Sequence, residues 1–217
     1  MNVLFVGNSY TYVNNLEQLV QNLCRENGID VNAYRVTKGG RKLISHMDCE
    51  DETTKKLETA LRERHYDVCF IQEQSLLPIT DYDTFLAGVT HVMRMAKLQA
   101  DKFILYATWA RKEGSPKLEV YGWTPESMTR LLQEAYEKAG ETLGIPVSPV
   151  GISFWKAICA HPELELHDPD MTHPSYLGSC LAALTHYHTL FGKFPEHTDS
   201  LNLTDEQICI FREAVCS

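Results

Sequence analysis

A serine, an aspartate and a histidine stand in this chain where hydrolytic chemistry could use them. Ser9 follows Gly7-Asn8, directly behind the apolar run Asn2-Val3-Leu4-Phe5-Val6. A small hydroxyl on a glycine turn between a strand and a helix has two readings, an N-cap or a nucleophile. A nucleophilic serine needs a base, and the base needs a group that orients it. Near the other end the chain reads HDPDMTHPSYLGSC, with Asp170 and His173 three residues apart. In a helical turn that spacing places both side chains on one face, so Asp170 could hold the His173 ring and select its tautomer. His173 must be neutral to take the serine proton, so hydrolysis is expected to fade in mildly acidic solution.

The segments that would carry these residues alternate between strand and helix. Residues 2–6 form a short apolar run ending at glycine, which predicts a buried strand. Leu16, Leu19, Val20 and Leu23 recur at helical spacing up to Gly28, a C-cap candidate. Further strands are predicted over 31–36, 67–72, 102–109 and 145–151. Helices are predicted over 52–64, 83–100, 174–191 and 204–215, and another starts at Thr124-Pro125, with the threonine as N-cap. Five strands separated by helices predict an α/β fold, a parallel sheet covered on both faces in a three-layer α/β/α sandwich. The 217 residues suit a single domain over 1–217. Ligands of such sheets bind at the carboxyl ends of the strands. That places Gly7-Asn8-Ser9, Lys38-Gly39-Gly40, Gln72-Glu73-Gln74-Ser75 and Thr108-Trp109-Ala110-Arg111 around one site.

Composition narrows the function. The net charge of -9 argues against nucleic acid and against anionic lipid, both of which call for clustered Lys and Arg. No apolar run approaches the ~20 residues that cross a bilayer, and the N-terminus shows neither a basic region nor a long apolar one, so no signal peptide is expected. Seven cysteines without a C-x-x-C are expected to be reduced and mostly buried, which favours the cytoplasm.

With the two blocks in place the chain resembles the SGNH hydrolases, also called the GDSL esterases. That family carries its serine just after strand one, here Gly7-Asn8-Ser9-Tyr10-Thr11, and a D-x-x-H block near the C-terminus, here Asp170-Met171-Thr172-His173. The resemblance spans the whole chain and implies a flavodoxin-like, five-stranded parallel sheet with Ser9, Asp170 and His173 as the catalytic triad. It implies an oxyanion hole from the Ser9 N–H, a glycine N–H after strand two (Gly39 or Gly40, with Gly40 preferred) and a side-chain amide after strand three. Where the family has G-x-N-D, this chain has Gln72-Glu73-Gln74-Ser75; Gln74 falls at the asparagine position, with Gln72 as the alternative. Asn8 replaces the usual aspartate, so the chain reads as a divergent member. Asn8, Gln72 and Trp109 are expected to line the substrate site. No metal or organic cofactor is implied.

The implied reaction is hydrolysis of small acyl esters, acetyl above all, on a small-molecule or carbohydrate partner. Lipase and thioesterase activity, and a ligand-binding relative without catalysis, are the alternatives. A phosphate or flavin binder shares the topology, but the first turn is short for a phosphate cradle and lacks a P-loop lysine. Trp109, Tyr121 and Trp123 flank the stretch 111–124, and they either stack on sugar rings or pack inward; a loop of that length is often a lid or a binding loop. His186 and His188 point to different helix faces and make a poor metal pair, and His167 is expected at the surface. The oligomeric state has no signature in the sequence.

Overall fold

Side-chain alternation along the strands divides the core in two. Val3 and Phe5 point one way with Val68, Phe70, Ile104 and Tyr106. Leu4 and Val6 point the other way with Cys69, Ile71 and Leu105. Both faces are therefore apolar, and each must be covered by helices. The computed structural model describes residues 1–217. Its first half runs β1 (Asn2–Gly7), α1 (Ser9–Tyr12), α2 (Leu16–Glu26), β2 (Asn32–Thr37), α3 (Glu52–Glu63), β3 (Tyr66–Ile71), α4 (Leu77–Thr80) and α5 (Tyr82–Ala96). The second half runs β4 (Ala100–Tyr106), α6 (Pro116–Tyr121), α7 (Pro125–Leu143), β5 (Val147–Ser148), α8 (Val150–Ala160), α9 (Tyr176–Phe191) and α10 (Asp205–Cys216).

The five strands are all parallel, in the order β2-β1-β3-β4-β5. Leu16, Val20 and Leu23 of α2, Phe154 of α8, Leu181 and Leu184 of α9 and Phe211 of α10 cover one face. Leu57 and Leu61 of α3, Phe85, Val89 and Val92 of α5 and Leu132 and Tyr136 of α7 cover the other. Each fully buried leucine or phenylalanine contributes roughly 1.5–3 kcal/mol. The three-layer α/β/α sandwich is thus the one expected. Because β1 pairs with β2 on one side and β3 on the other, the strand order reverses there. The reversal opens a crevice at the carboxyl ends of β1 and β3, where Ser9 stands. No helix is long and apolar enough to cross a membrane.

Several boundaries differ from the sequence expectation. β4 ends at Tyr106, so Thr108 and Trp109 lie beyond the strand. β5 is only Val147–Ser148, because α8 starts at Val150. That helix escapes a periodicity reading since its apolar residues run on from the strand without a polar break. The stretch 111–124 is no open loop: Pro116 at the helix start and Gly122 at its left-handed end (φ 66°) enclose α6. Of the cysteines, Cys24, Cys69 and Cys180 are buried, whereas Cys49, Cys159, Cys209 and Cys216 are exposed. The expectation that most are buried is corrected, because the last two sit on the outer side of α10.

Candidate active site

The serine turn is built from beneath. β1 ends at Gly7, where a Cβ would come within 2.4 Å of Gln72 Oε1 and 2.8 Å of Thr11 Oγ1, so only glycine allows Gln72 to pass under the turn. Gln72 Oε1 accepts from the Asn8 N–H at 2.9 Å and from Thr11 Oγ1 at 3.0 Å. Asn8 Oδ1 accepts from the Tyr10 N–H at 3.1 Å, and Asn8 Nδ2 donates to the Arg41 carbonyl at 3.1 Å. Asn8, then, is the N-cap of α1. Ser9 is the first residue inside the helix and its hydroxyl is not spent on capping. Asn8 and Gln72 are 2 % and 1 % exposed. Their expected place on the substrate surface is corrected: both are enclosed because their polar atoms are consumed in fixing the serine turn.

The aspartate and histidine arrive on a tight turn, not a helical one. The Met171 N–H donates to the Asp168 carbonyl at 2.9 Å and the Asp168 N–H to the His173 carbonyl at 2.8 Å. Met171 takes φ 61°, a strained value for a side chain with a Cβ. Asp170 Oδ1 accepts from the Thr172 and His173 N–H groups, both at 2.9 Å. Its other oxygen, Oδ2, lies 2.5 Å from His173 Nδ1. One carboxylate oxygen thus folds the turn and the other aims the ring. On the far side of the ring His173 Nε2 lies 2.8 Å from Ser9 Oγ. With Nδ1 protonated toward the carboxylate, Nε2 accepts the serine proton. Burial alone would raise the Asp170 carboxyl; the hydrogen bonds from His173 and Thr172 outweigh it and hold the carboxyl below its ordinary value.

The segment after β4 grips this turn. Trp109 Nε1 donates to the Thr172 carbonyl at 3.1 Å, the Lys112 N–H to the Met171 carbonyl at 3.1 Å, and Arg111 to the Thr172 hydroxyl. Trp109 is 1 % exposed and stacks on Phe154 with centroids 4.3 Å apart. Of the two readings left open for Trp109, stacking on substrate or packing inward, its burial favours the second: the indole packs against Phe154 and its N–H holds the histidine turn. Tyr121 and Trp123 stack on one another at 4.4 Å. His167, expected at the surface, is buried, with Nε2 2.9 Å from the Ala110 carbonyl. Burial lowers its pKa. His186 is also enclosed, with Nδ1 2.8 Å from Ser148 Oγ.

Candidate oxyanion donors come from the start of α1 and from the loops after β2 and β3. Ser9 opens α1, so its N–H is one of the amides that a helix start leaves free. Gly40 has φ 65°, a left-handed value that glycine adopts without strain, and its exposed N–H makes no bond within the chain. Gln74 Oε1 accepts from the Leu76 and Leu77 N–H groups, both at 3.0 Å, which leaves Nε2 as its free donor.

Sequence reasoning passed over Glu73. This residue is 0 % exposed and accepts the Leu43 N–H through Oε1 at 3.0 Å and Oε2 at 3.2 Å. Its Oε1 also accepts the Gln74 N–H at 2.6 Å. It therefore joins the loop after β2, which holds Gly40, to the loop after β3, which holds Gln74. Burial pushes its carboxyl up to about 7, against the pull of these N–H donors and of Lys42. A glutamate right after an apolar strand, flanked by two glutamines, was the available signal.

No family model matches the chain, and no curated protein matches it. Solved structures do. A protein of Slackia heliotrinireducens assigned to the SGNH hydrolases is 28% identical, with TM-score 0.75 over 88% of this chain and 98% of that one. A DUF4886 family protein from Bacteroides uniformis is 19% identical, with TM-score 0.82 over 100% of this chain and 93% of that one. An acetyl xylan esterase from Geobacillus stearothermophilus is 13% identical, with TM-score 0.62 over 90% of this chain and 97% of that one.

Proposed function

We propose that the chain is a divergent SGNH hydrolase, a reading supported by its likeness to a protein assigned to that family, and that it is a serine esterase for small acyl esters. The observation that carries this reading is the line from Asp170 Oδ2 through His173 to Ser9 Oγ, at 2.5 and 2.8 Å, with Asn8 in the capping role. We read residues 1–217 as one catalytic domain. Ser9 Oγ attacks the ester carbonyl while His173 Nε2 takes its proton. The developing oxyanion is met by the N–H groups of Ser9 and Gly40 and by the Gln74 amide; such donors are typically worth ~3 kcal/mol each. His173 then protonates the leaving alcohol, and water releases the acid from the acyl-enzyme by the same route in reverse. Asp170 stabilises the imidazolium throughout. Acetyl as the acyl group and a carbohydrate as the alcohol are the favoured substrate pairing, supported by the structural likeness to an acetyl xylan esterase. None of these steps calls on a metal or organic cofactor.

The test is hydrolysis of p-nitrophenyl acetate by the wild type, Ser9→Ala, His173→Ala and Asp170→Asn, with a fluorophosphonate probe of the serine alongside. Wild type should turn over and label. Ser9→Ala should do neither, and Asp170→Asn should lose about 10³–10⁴-fold in kcat through the wrong histidine tautomer. Full activity in both Ser9→Ala and His173→Ala would sink the assignment.

A further inference from the structure

Two arginines in this chain are equally buried, and they are treated differently. Arg41, 8 % exposed, is paired with Asp51 Oδ1 at 2.8 Å. Arg111, also 8 % exposed, has no carboxylate partner. Its Nη atoms donate only to neutral hydroxyls, Thr172 Oγ1 and, at 3.2 Å, Ser75 Oγ. Its Nε is buried without any partner. A buried guanidinium is ordinarily paired, because an uncompensated charge out of water costs several kcal/mol.

The position of this unpaired charge points to the reaction centre. Thr172 lies between Asp170 and His173, and Ser75 follows Gln74. Tyr10, next to Ser9, packs against the catalytic histidine: its ring centroid is 5.7 Å from that of His173, and its buried hydroxyl has no partner. Burial pushes the Tyr10 phenol up, and the Arg111 charge opposes that shift. Donors thus gather beside the serine, and the one acid of the triad, Asp170, is already engaged by His173 and the Thr172 N–H rather than by Arg111. On its other side Arg111 lines a cleft of about 450 Å³, whose apolar wall includes Phe154, Trp155, Ile158 and Leu164. Acids stand on the rim of that cleft, Glu113, Glu126 and Glu165, but they are exposed and Glu165 is paired with Lys112. Water and salt screen them far more than they screen Arg111.

We propose that Arg111 is the specificity-determining anchor for a carboxylate carried by the substrate close to its ester bond. The guanidinium fork suits a carboxylate in both charge and shape. This inference rests on the esterase reading and narrows it to anionic esters. The carboxylate belongs either to the acyl part or to the alcohol part.

The experiment compares isosteric pairs differing in one charge. Monomethyl succinate against methyl levulinate tests the acyl side; acetoxyacetate against acetoxyacetone tests the alcohol side. Rates of acid release are followed for wild type, Arg111→Met and Arg111→Lys. Wild type should prefer the anionic member of one pair by about tenfold or more in kcat/KM. Arg111→Met should erase that preference and Arg111→Lys should keep part of it, whereas a purely structural tie would lower both members of a pair alike. A wild type without preference in either pair, or a preference that survives in Arg111→Met, overturns the proposal. If Arg111→Met does not fold, the wild type and Arg111→Lys decide. The same four compounds are added in thermal denaturation, which needs no turnover. A Tm rise specific to the anions and lost in Arg111→Met keeps the anion site even if the esterase reading fails. Absence of both turnover and Tm rise removes both.

Discussion

Glu73 ties the stability of this protein to pH in a way that a single substitution exposes. Its carboxyl is enclosed, accepts N–H groups from Leu43 and Gln74, and has its pKa raised by burial from 4.5 to about 7. An acid whose value is raised on folding contributes its stability fully below the unfolded value and loses it as the pH climbs through the folded one. The move from 4.5 to about 7 corresponds to about 3 kcal/mol. Wild type should therefore lose about 3 kcal/mol relative to Glu73→Gln between about pH 4 and pH 8. Glutamine is neutral throughout, and every other titrating group cancels in the difference. Its absolute effect has either sign, because the amide keeps one acceptor but turns an NH₂ toward an N–H. Only the slope matters. Urea denaturation of both proteins at fixed ionic strength, at several pH values across that range, measures it. A stability difference that stays flat with pH would refute the reasoning. It would mean that Glu73 titrates as an ordinary exposed carboxyl, and that the two loops it joins are held by something else.

Two further outcomes follow from the same structure. Asn8→Ala removes the cap of α1 and the partner of the Arg41 carbonyl, and should cost about 1–2 kcal/mol in urea melts; an unchanged midpoint would return the capping role to Ser9. His186 lies at 4.6 Å from Phe70 and 4.4 Å from Tyr106 between ring centroids, and burial lowers its pKa to about 3. Below its ordinary 6.5 the unfolded chain binds a proton that the folded one refuses, so stability falls from about 6.5 down to about 3. His186→Gln should make the acid-side decline of Tm shallower, and an identical decline in both proteins would remove His186 as its cause.

How much of this was legible beforehand depends on the range of the interaction. The sheet and most of its helices follow from local patterns: short apolar runs ending at glycine, helical spacing of leucines, a threonine-proline helix start. So do the ends of the chain that carry Ser9 and the Asp170-His173 block, and the rule that ligands sit beyond the carboxyl ends of parallel strands. Local pattern could not say which of Asn8 and Ser9 caps α1. That was decided by Gln72 and Arg41, 64 and 33 residues away from Asn8. Nor could it place Trp109: an indole after a strand reads the same whether it faces ligand or core. Only packing against Phe154 and the Thr172 carbonyl distinguishes them. The burial of Glu73 and the missing counter-ion of Arg111 are properties of a neighbourhood assembled from distant segments, so no window of sequence contains them. Residue type and periodicity are encoded along the chain, whereas solvent exclusion and partner identity exist only once β1, β3 and β4 stand side by side.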